Sequence, residues 1–209
     1  MNILLLGAGN MGSAFARRFA DAGHRVRLAA TSLDKAQAVA AGIPGATGVD
    51  AAGRAADADV VLVATPYEQA RAALATAGPL DGKVVIDITN PLTADFAGLS
   101  IGHDTSAAEE IAKAFPQAEV AKAFNTLFAQ VIADNAPFAN GQVAPAFVAS
   151  DSARAKATAT ALAESIGLDT IDAGPLKNAR YLEPLAGLNI HLGYGAGLGT
   201  GIAPTWLRR

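Results

Sequence analysis

A short apolar run that ends in Gly-x-Gly-x-x-Gly and passes straight into a helical pattern leaves few folds open to this chain. The run is Asn2 to Leu6, and the motif is Gly7-Ala-Gly9-Asn10-Met11-Gly12. Residues 13–22 then carry apolar side chains at helical spacing until Gly23 stops them. Strand, glycine turn and helix in that order make a dinucleotide-binding unit. Gly7 permits the tight turn, Gly9 leaves the backbone open to a pyrophosphate, and Gly12 lets the helix approach the strand. Asn10 and Met11 sit at the start of the helix, where free amides and the positive end of the helix dipole favour phosphate. The competing reading is an ordinary strand–loop–helix whose glycines serve only the turn.

The alternation continues along the chain. Strands are expected over residues 24–30, 46–49, 59–64, 83–88, 119–124, 144–149 and 168–172. Between them, Thr31-Ser32 caps a helix over 33–41, a weak helix covers 51–56, and another fills 151–166. Thr65-Pro66-Tyr67-Glu68 has the form of an N-cap, a first helical proline and a reciprocal capping-box acceptor. Ser106 and Glu109 form a second capping box, and a last helix runs from about 178 to 191. The fold class is therefore α/β: a Rossmann-type, doubly wound, mainly parallel sheet with a small helical C-terminal part. Residues 1–149 are expected to form the NADP-binding domain. Residues 150–209 are expected to form a smaller C-terminal part.

Composition narrows the function. Hydrophobic residues make up 51% and charged residues 17%, as suits a sheet buried between alanine-rich helices. A net charge of −3 gives no electrostatic footprint for nucleic acid. With no cysteine, disulfides, thiolate metal sites and cysteine nucleophiles are excluded. No apolar run reaches membrane-spanning length, and the opening stretch is too short and uncharged for a signal peptide, so a cytoplasmic protein without membrane partners is expected.

The place where a carboxylate would hold a free ribose 2′-hydroxyl, about 20 residues past the glycine turn, is occupied by Ala30, Thr31 and Ser32, with Lys35 one turn along. Two hydroxyls, a helix N-terminus and an ammonium suit a dianion, which favours NADP(H) over NAD(H). Ser32 serving as a cap and Lys35 as a solvated charge is compatible with that role. At the other strand ends stand Ala64-Thr65-Pro66, Thr89-Asn90-Pro91 and Phe124-Asn125-Thr126, suited to lining a nicotinamide. No catalytic side chain stands out and no metal cluster appears. His24, His103 and His191 are scattered and read as loop or packing residues. A crevice without a committed base fits hydride exchange between two bound cofactors better than alcohol dehydrogenation.

Several stretches together resemble the NADP-dependent oxidoreductase family typified by the reductase of the deazaflavin coenzyme F420. They are the glycine motif, Ala64-Thr65-Pro66, Asp87-Ile-Thr-Asn90-Pro91-Leu92, Lys122-Ala-Phe-Asn125-Thr-Leu127 and Gly174-Pro-Leu-Lys-Asn-Ala-Arg180-Tyr-Leu-Glu183-Pro184-Leu. The resemblance implies a homodimer that passes hydride between NADPH and a planar small-molecule redox substrate, coenzyme F420 first. It places Thr31, Ser32 and Lys35 on the 2′-phosphate, and Ala64, Thr65, Pro66, Asn90 and Asn125 around the nicotinamide. The loop Ala-Gly-Asn-Met is closer to broader NADPH-binding relatives, including metalloreductase domains and pyrroline-carboxylate reductases. Reduction of a flavin or small imine or carbonyl, and a non-catalytic NADP(H) sensor, are therefore the alternatives. Trp206 is expected either against a flat ring or at a dimer interface, and Arg180 with Glu183, three apart on a helix, as a surface or intersubunit ion pair.

Overall fold

In the computed structural model, which describes residues 1–134 and 136–206, the opening run forms β1 (Asn2–Leu6) and the glycine turn delivers the chain into α1 (Asn10–Asp21). There follow β2 (Arg25–Ala29), α2 (Leu33–Ala40), β3 (Ala46–Val49), β4 (Val60–Val63), α3 (Tyr67–Ala77) and β5 (Val84–Asp87). The second half holds α4 (Ala107–Ala114), β6 (Glu119–Lys122), α5 (Ala129–Asp134), β7 (Pro145–Ser150), α6 (Ala153–Ser165), β8 (Asp169–Gly174) and α7 (Ala179–Ile190). The strands make one eight-stranded sheet in the order β3-β2-β1-β4-β5-β6-β7-β8. Every neighbouring pair is parallel except β6 with β7. The expected Rossmann-type doubly wound sheet is what forms.

Side-chain alternation decides which layer each residue feeds. Ile3 and Leu5 of β1 enter a core with Phe15 and Phe19 of α1, while Leu4 and Leu6 enter the opposite core with Leu74 and Ile111. The central strands β4 and β5 are buried along their whole length, which is why they read as continuous apolar runs. Because β1 lies between β2 and β4, the chain leaves its C-terminal end toward one side and later returns on the other. Loops there diverge and open a crevice.

Three local expectations change. Thr65 does not cap α3: Pro66, with extended backbone (φ −53°, ψ 147°), occupies the cap, and no side chain hydrogen-bonds there. The helix thus starts one residue later, and Glu68 has no cap to reciprocate. Helix α5 carries no capping or periodic signal in six residues; it forms because Ile132 is buried in the core against α1. Finally, α7 continues beyond Ile190 into a π-helical turn over His191–Gly195. Among the described residues no helix is long and apolar enough to cross a membrane.

Candidate active site

The glycine turn has one crowded side and one open side. Gly7 adopts φ +116°, and a Cβ there would lie 2.4 Å from the Ala64 carbonyl oxygen at the end of β4. A Cβ on Gly12 would stand 1.9 Å from the Gly7 carbonyl oxygen. Around Gly9, by contrast, nothing lies within 4 Å of the place a Cβ would take. Gly9 is also the N-cap of α1, and no side chain caps that helix. Open space beside uncapped amides, at the positive end of a helix, fits a pyrophosphate.

At the end of β2, Thr31, Ser32 and Lys35 are all exposed: Thr31 precedes α2, Ser32 is its N-cap and Lys35 lies in its first turn. Ser32 Oγ accepts the Lys35 amide at 3.3 Å, so its hydroxyl proton stays available for an acceptor. The arrangement therefore combines a cap with a free donor.

Across the crevice, the Thr65 hydroxyl is buried without a hydrogen-bond partner among the described residues. Asn90 and Asn125 lock to each other: Asn90 Nδ2 donates to the Asn125 carbonyl at 2.9 Å, and Asn125 Nδ2 donates to Asn90 Oδ1 at 3.0 Å. Asn125 Nδ2 also donates to the Leu182 carbonyl at 3.0 Å. That second bond fixes which way the amide points, since a carbonyl can only accept. Asn125 Oδ1 is left buried with no partner. Buried polar atoms are rarely orphaned, so Thr65 Oγ1 and Asn125 Oδ1 are suited to a ligand's donors or acceptors. The turn that presents Asn125 is strained, because the fully buried Phe124 before it takes φ +61°. Its ring is held edge-on to Phe15 at 5.0 Å between centroids.

Asn90 and Asn125 open into a cavity of about 800 Å³, in the upper part of the range for small-molecule sites. One end is lined by Asn10, Met11, Ile88, Asn90 and Asn125. The other is apolar and aromatic, with Leu92, Phe96, Leu127, Phe128 and Tyr194, and holds His191 at its wall. Phe128 and Tyr194 meet edge-on at 5.6 Å. The cavity thus joins the glycine-loop helix to the C-terminal segment.

Ala64, Thr65 and Pro66 stand at the exit of β4, outside the residues lining this cavity, and of the glycine motif only Asn10 and Met11 line it. Trp206 does not line it either: its ring packs edge-on to Phe147 of the same chain at 5.2 Å. His191 and Tyr194 were not among the expected site residues. Only the π turn, which widens the helix at His191, brings them to the cavity, and no local motif announces it. His24 packs as expected, bonded to the chain's first amino group and to Ser165 and edge-on to Phe19.

Behind the two asparagines lies a buried ion cluster. Lys122 Nζ is 2.7 Å from both Asp87 Oδ2 and Glu183 Oε1 and donates to the Thr89 carbonyl at 2.6 Å. Glu183 also accepts the amides of Ala107 and Ala108 at the start of α4. Burial alone would lower the Lys122 ammonium, but the two carboxylates outweigh it and hold it above the ordinary lysine value. Burial pushes the Glu183 carboxyl up, against the opposing pull of Lys122 and the Ala107 amide. The expected Arg180–Glu183 pair does not form. Arg180 instead grips Glu109 with two nitrogens, at 2.7 and 2.9 Å, because α4 offers each residue a stronger partner than its helical neighbour does. Ser106 and Glu109 do make a cap, in which Ser106 Oγ accepts the Glu109 amide and donates to its carboxylate. The cluster ties β5, β6, α4 and α7 together directly beneath Asn90 and Asn125.

A doubly wound sheet with an open glycine turn at its first helix and a cavity beyond the strand ends belongs to a dinucleotide-dependent oxidoreductase. Residues 2–91 match the family described as NADP oxidoreductase coenzyme F420-dependent. The F420-dependent NADP reductase of Methanothermobacter thermautotrophicus is 32% identical over 205 residues, covering 89% of this chain and 86% of that protein. A crystal structure from Arthrobacter sp. FB24, assigned as an F420-dependent NADP-reductase, superimposes with a TM-score of 0.90 at 32% identity over the full length of both chains. The metalloreductase STEAP3 of Rattus norvegicus is 31% identical over 127 residues, 61% of this chain but 25% of that protein. The chain belongs to the F420-dependent NADP reductase family.

Proposed function

We propose that this protein transfers hydride between NADPH and coenzyme F420. The observation that carries the reading is the single cavity that runs from the glycine-loop helix to an apolar, aromatic lobe. In this reading the pyrophosphate lies over Gly9 and the amides of Asn10 and Met11, in the space that Gly7 and Gly12 hold open. Thr31, Ser32 and Lys35 take the 2′-phosphate. Ala64, Thr65, Pro66, Asn90 and Asn125 surround the nicotinamide, with the free Asn125 Oδ1 accepting a carboxamide N–H. The lobe lined by Leu92, Phe96 and Phe128 takes the flat second ring. Bound NADPH supplies the hydride; the chain's part is to align the two rings and exclude water. Residues 150–206 complete the cavity, residues 207–209 of that part lying outside the described residues, and the exposed Leu188 and Leu198 suit a homodimer interface. A cytoplasmic site of action is part of this reading, and among the described residues no helix is long and apolar enough to cross a membrane.

Rapid mixing of the NADPH-bound protein with coenzyme F420, with FMN and with no acceptor tests the reading. Bleaching of the deazaflavin, with FMN scarcely reduced, is the expected result. Tight NADPH binding with no transfer to the deazaflavin would overturn it in favour of a flavin, imine or carbonyl reductase, or of a sensor.

The 2′-phosphate assignment has its own test. Replacing Ser32 with alanine and Lys35 with glutamine removes two charge-assisted contacts worth roughly 1.5–3 kcal/mol each. NADPH affinity should fall by about 100-fold or more while NADH affinity changes little. An unchanged preference, read by fluorescence titration, would place the phosphate elsewhere.

A further inference from the structure

Hydride transfer from NADPH to a deazaflavin does not balance on hydride alone. The acceptor gains a C–H bond from the hydride, which brings both electrons and leaves NADP⁺. It also gains an N–H bond, and that proton must come from a donor. Asn90 and Asn125 do not titrate, so a side-chain donor has to come from the titratable residues that line the cavity.

Three titratable side chains line the cavity: Asp95, His191 and Tyr194. The Thr93 hydroxyl and then the Ala97 amide bond the Asp95 carboxylate and hold it below its usual range, so it stays an acceptor. Tyr194 is packed edge-on to Phe128. His191 is placed differently. The residue is exposed at the cavity wall, and neither ring nitrogen has a hydrogen-bond partner among the described residues, which leaves both free for a ligand.

The backbone is built around that ring. His191 begins the π turn, and a Cβ on Gly195 would lie 2.9 Å from His191 Nδ1 and 3.1 Å from its Cε1. Two residues earlier, a Cβ on Gly193 would lie 2.6 Å from Phe128 Cζ. The two glycines leave room for the two rings that enter the cavity from this side. The π turn closes the C-terminal end of α7 and is wide enough to carry the His191 and Tyr194 rings on the cavity side. Imidazole is the side chain suited to hold and release a proton near neutral pH.

On the basis of the hydride-transfer reading above, we propose that His191 is the catalytic proton donor to the second substrate. Its imidazolium gives the proton to the ring nitrogen of the deazaflavin as hydride reaches the ring carbon, and recovers one from solvent at the cavity mouth. In the reverse direction the neutral imidazole takes the same proton. Gly195 is a positioning residue that keeps the imidazole turned into the cavity.

The experiment uses the whole protein with NADPH and coenzyme F420, comparing the parent with His191→Asn, His191→Ala and Gly195→Ala by rapid mixing across pH. General acid catalysis contributes roughly 10²–10⁴-fold. Hydride transfer to the deazaflavin should therefore slow by about 100-fold in the asparagine variant. The fall in rate on the alkaline side that the parent shows should vanish with it. NADPH binding, followed by its own fluorescence, and deazaflavin binding, followed by quenching, should stay within about threefold. Added imidazole should restore rate to the alanine variant, and Gly195→Ala should reproduce part of the loss with the histidine still present. A parent-like pH profile in His191→Asn, or a loss confined to KM, would overturn the proposal and leave His191 as a packing residue. Absence of hydride transfer in the parent itself would overturn the underlying reading, and His191's role with it, and is told apart because it appears before any substitution is made.

Discussion

Replacing Lys122 with methionine should lower the midpoint of thermal unfolding by roughly 10 °C near pH 7. Stripping one partner from a buried ion pair typically costs about 3–5 kcal/mol, and a chain of this size shifts by ~2–4 °C per kcal/mol. Methionine fills most of the lysine's volume, so lost packing contributes little. What remains is a pair of carboxylates, Asp87 and the nearly inaccessible Glu183, with no cation between them. The pH dependence separates charge from packing. Because Lys122 has its folded-state pKa raised, its stabilisation is present at neutral pH and lost only as pH climbs through that value in the alkaline range. Glu183 is raised too, so the folded state holds its proton more tightly than the unfolded chain does. Its share of stability is present at low pH and is lost as pH rises through the raised value. Ionised Glu183 is therefore a liability at neutral pH that Lys122 offsets. Without Lys122 the deficit should shrink as pH is lowered through the raised value at which Glu183 takes up its proton. Adding Glu183→Gln to Lys122→Met should recover part of the loss. Calorimetry across pH reads both effects; a deficit that stays constant with pH would mean that packing, not charge, sets the cost.

Such a cluster could not be read along the chain, and the reason shows what kind of information sequence carries. Lys122 and Glu183 are 61 residues apart, and neither position carries a local pattern that predicts the pairing. Arg180 and Glu183 do carry one, at helical spacing, and it misleads because α4 supplies competing partners to both. The glycine turn was legible because its demands are local: Gly7 and Gly12 answer to backbone atoms within a few residues or on the adjacent strand. Strands β4 and β5 were legible because burial on both faces leaves an uninterrupted apolar run. Thr65 followed by Pro66 fits a cap and an extended turn equally well, and only the fold decides between them. Asn90 and Asn125 could be placed at strand ends, yet their mutual locking depends on the Leu182 carbonyl of a distant helix. His191 and Tyr194 needed the π turn, which no residue pattern encoded.

Two neighbouring glycines should answer the same substitution in opposite ways. Gly12→Ala places a methyl group 1.9 Å from the Gly7 carbonyl oxygen, a backbone atom that cannot swing aside. The helix must then lift from β1, at a cost of about 3 kcal/mol or more, and α1 carries Phe15 and Phe19 of the core with it. The variant should show a melting point lowered by roughly 6 °C or more and weakened NADPH binding as a secondary result. Gly9→Ala places its methyl group in open space, on a residue with φ −83° and ψ −166° that any L-residue adopts. Stability should stay within about 0.5 kcal/mol of the parent. NADPH affinity should nevertheless fall by at least about tenfold, since the methyl occupies the approach to the helix amides and blocks a charge-assisted contact worth ~1.5–3 kcal/mol. The contrast is the test. If Gly9→Ala binds NADPH as the parent does, the pyrophosphate does not lie over that residue. If Gly12→Ala melts like the parent, the close contact between α1 and the glycine turn is not what holds the first βαβ unit together.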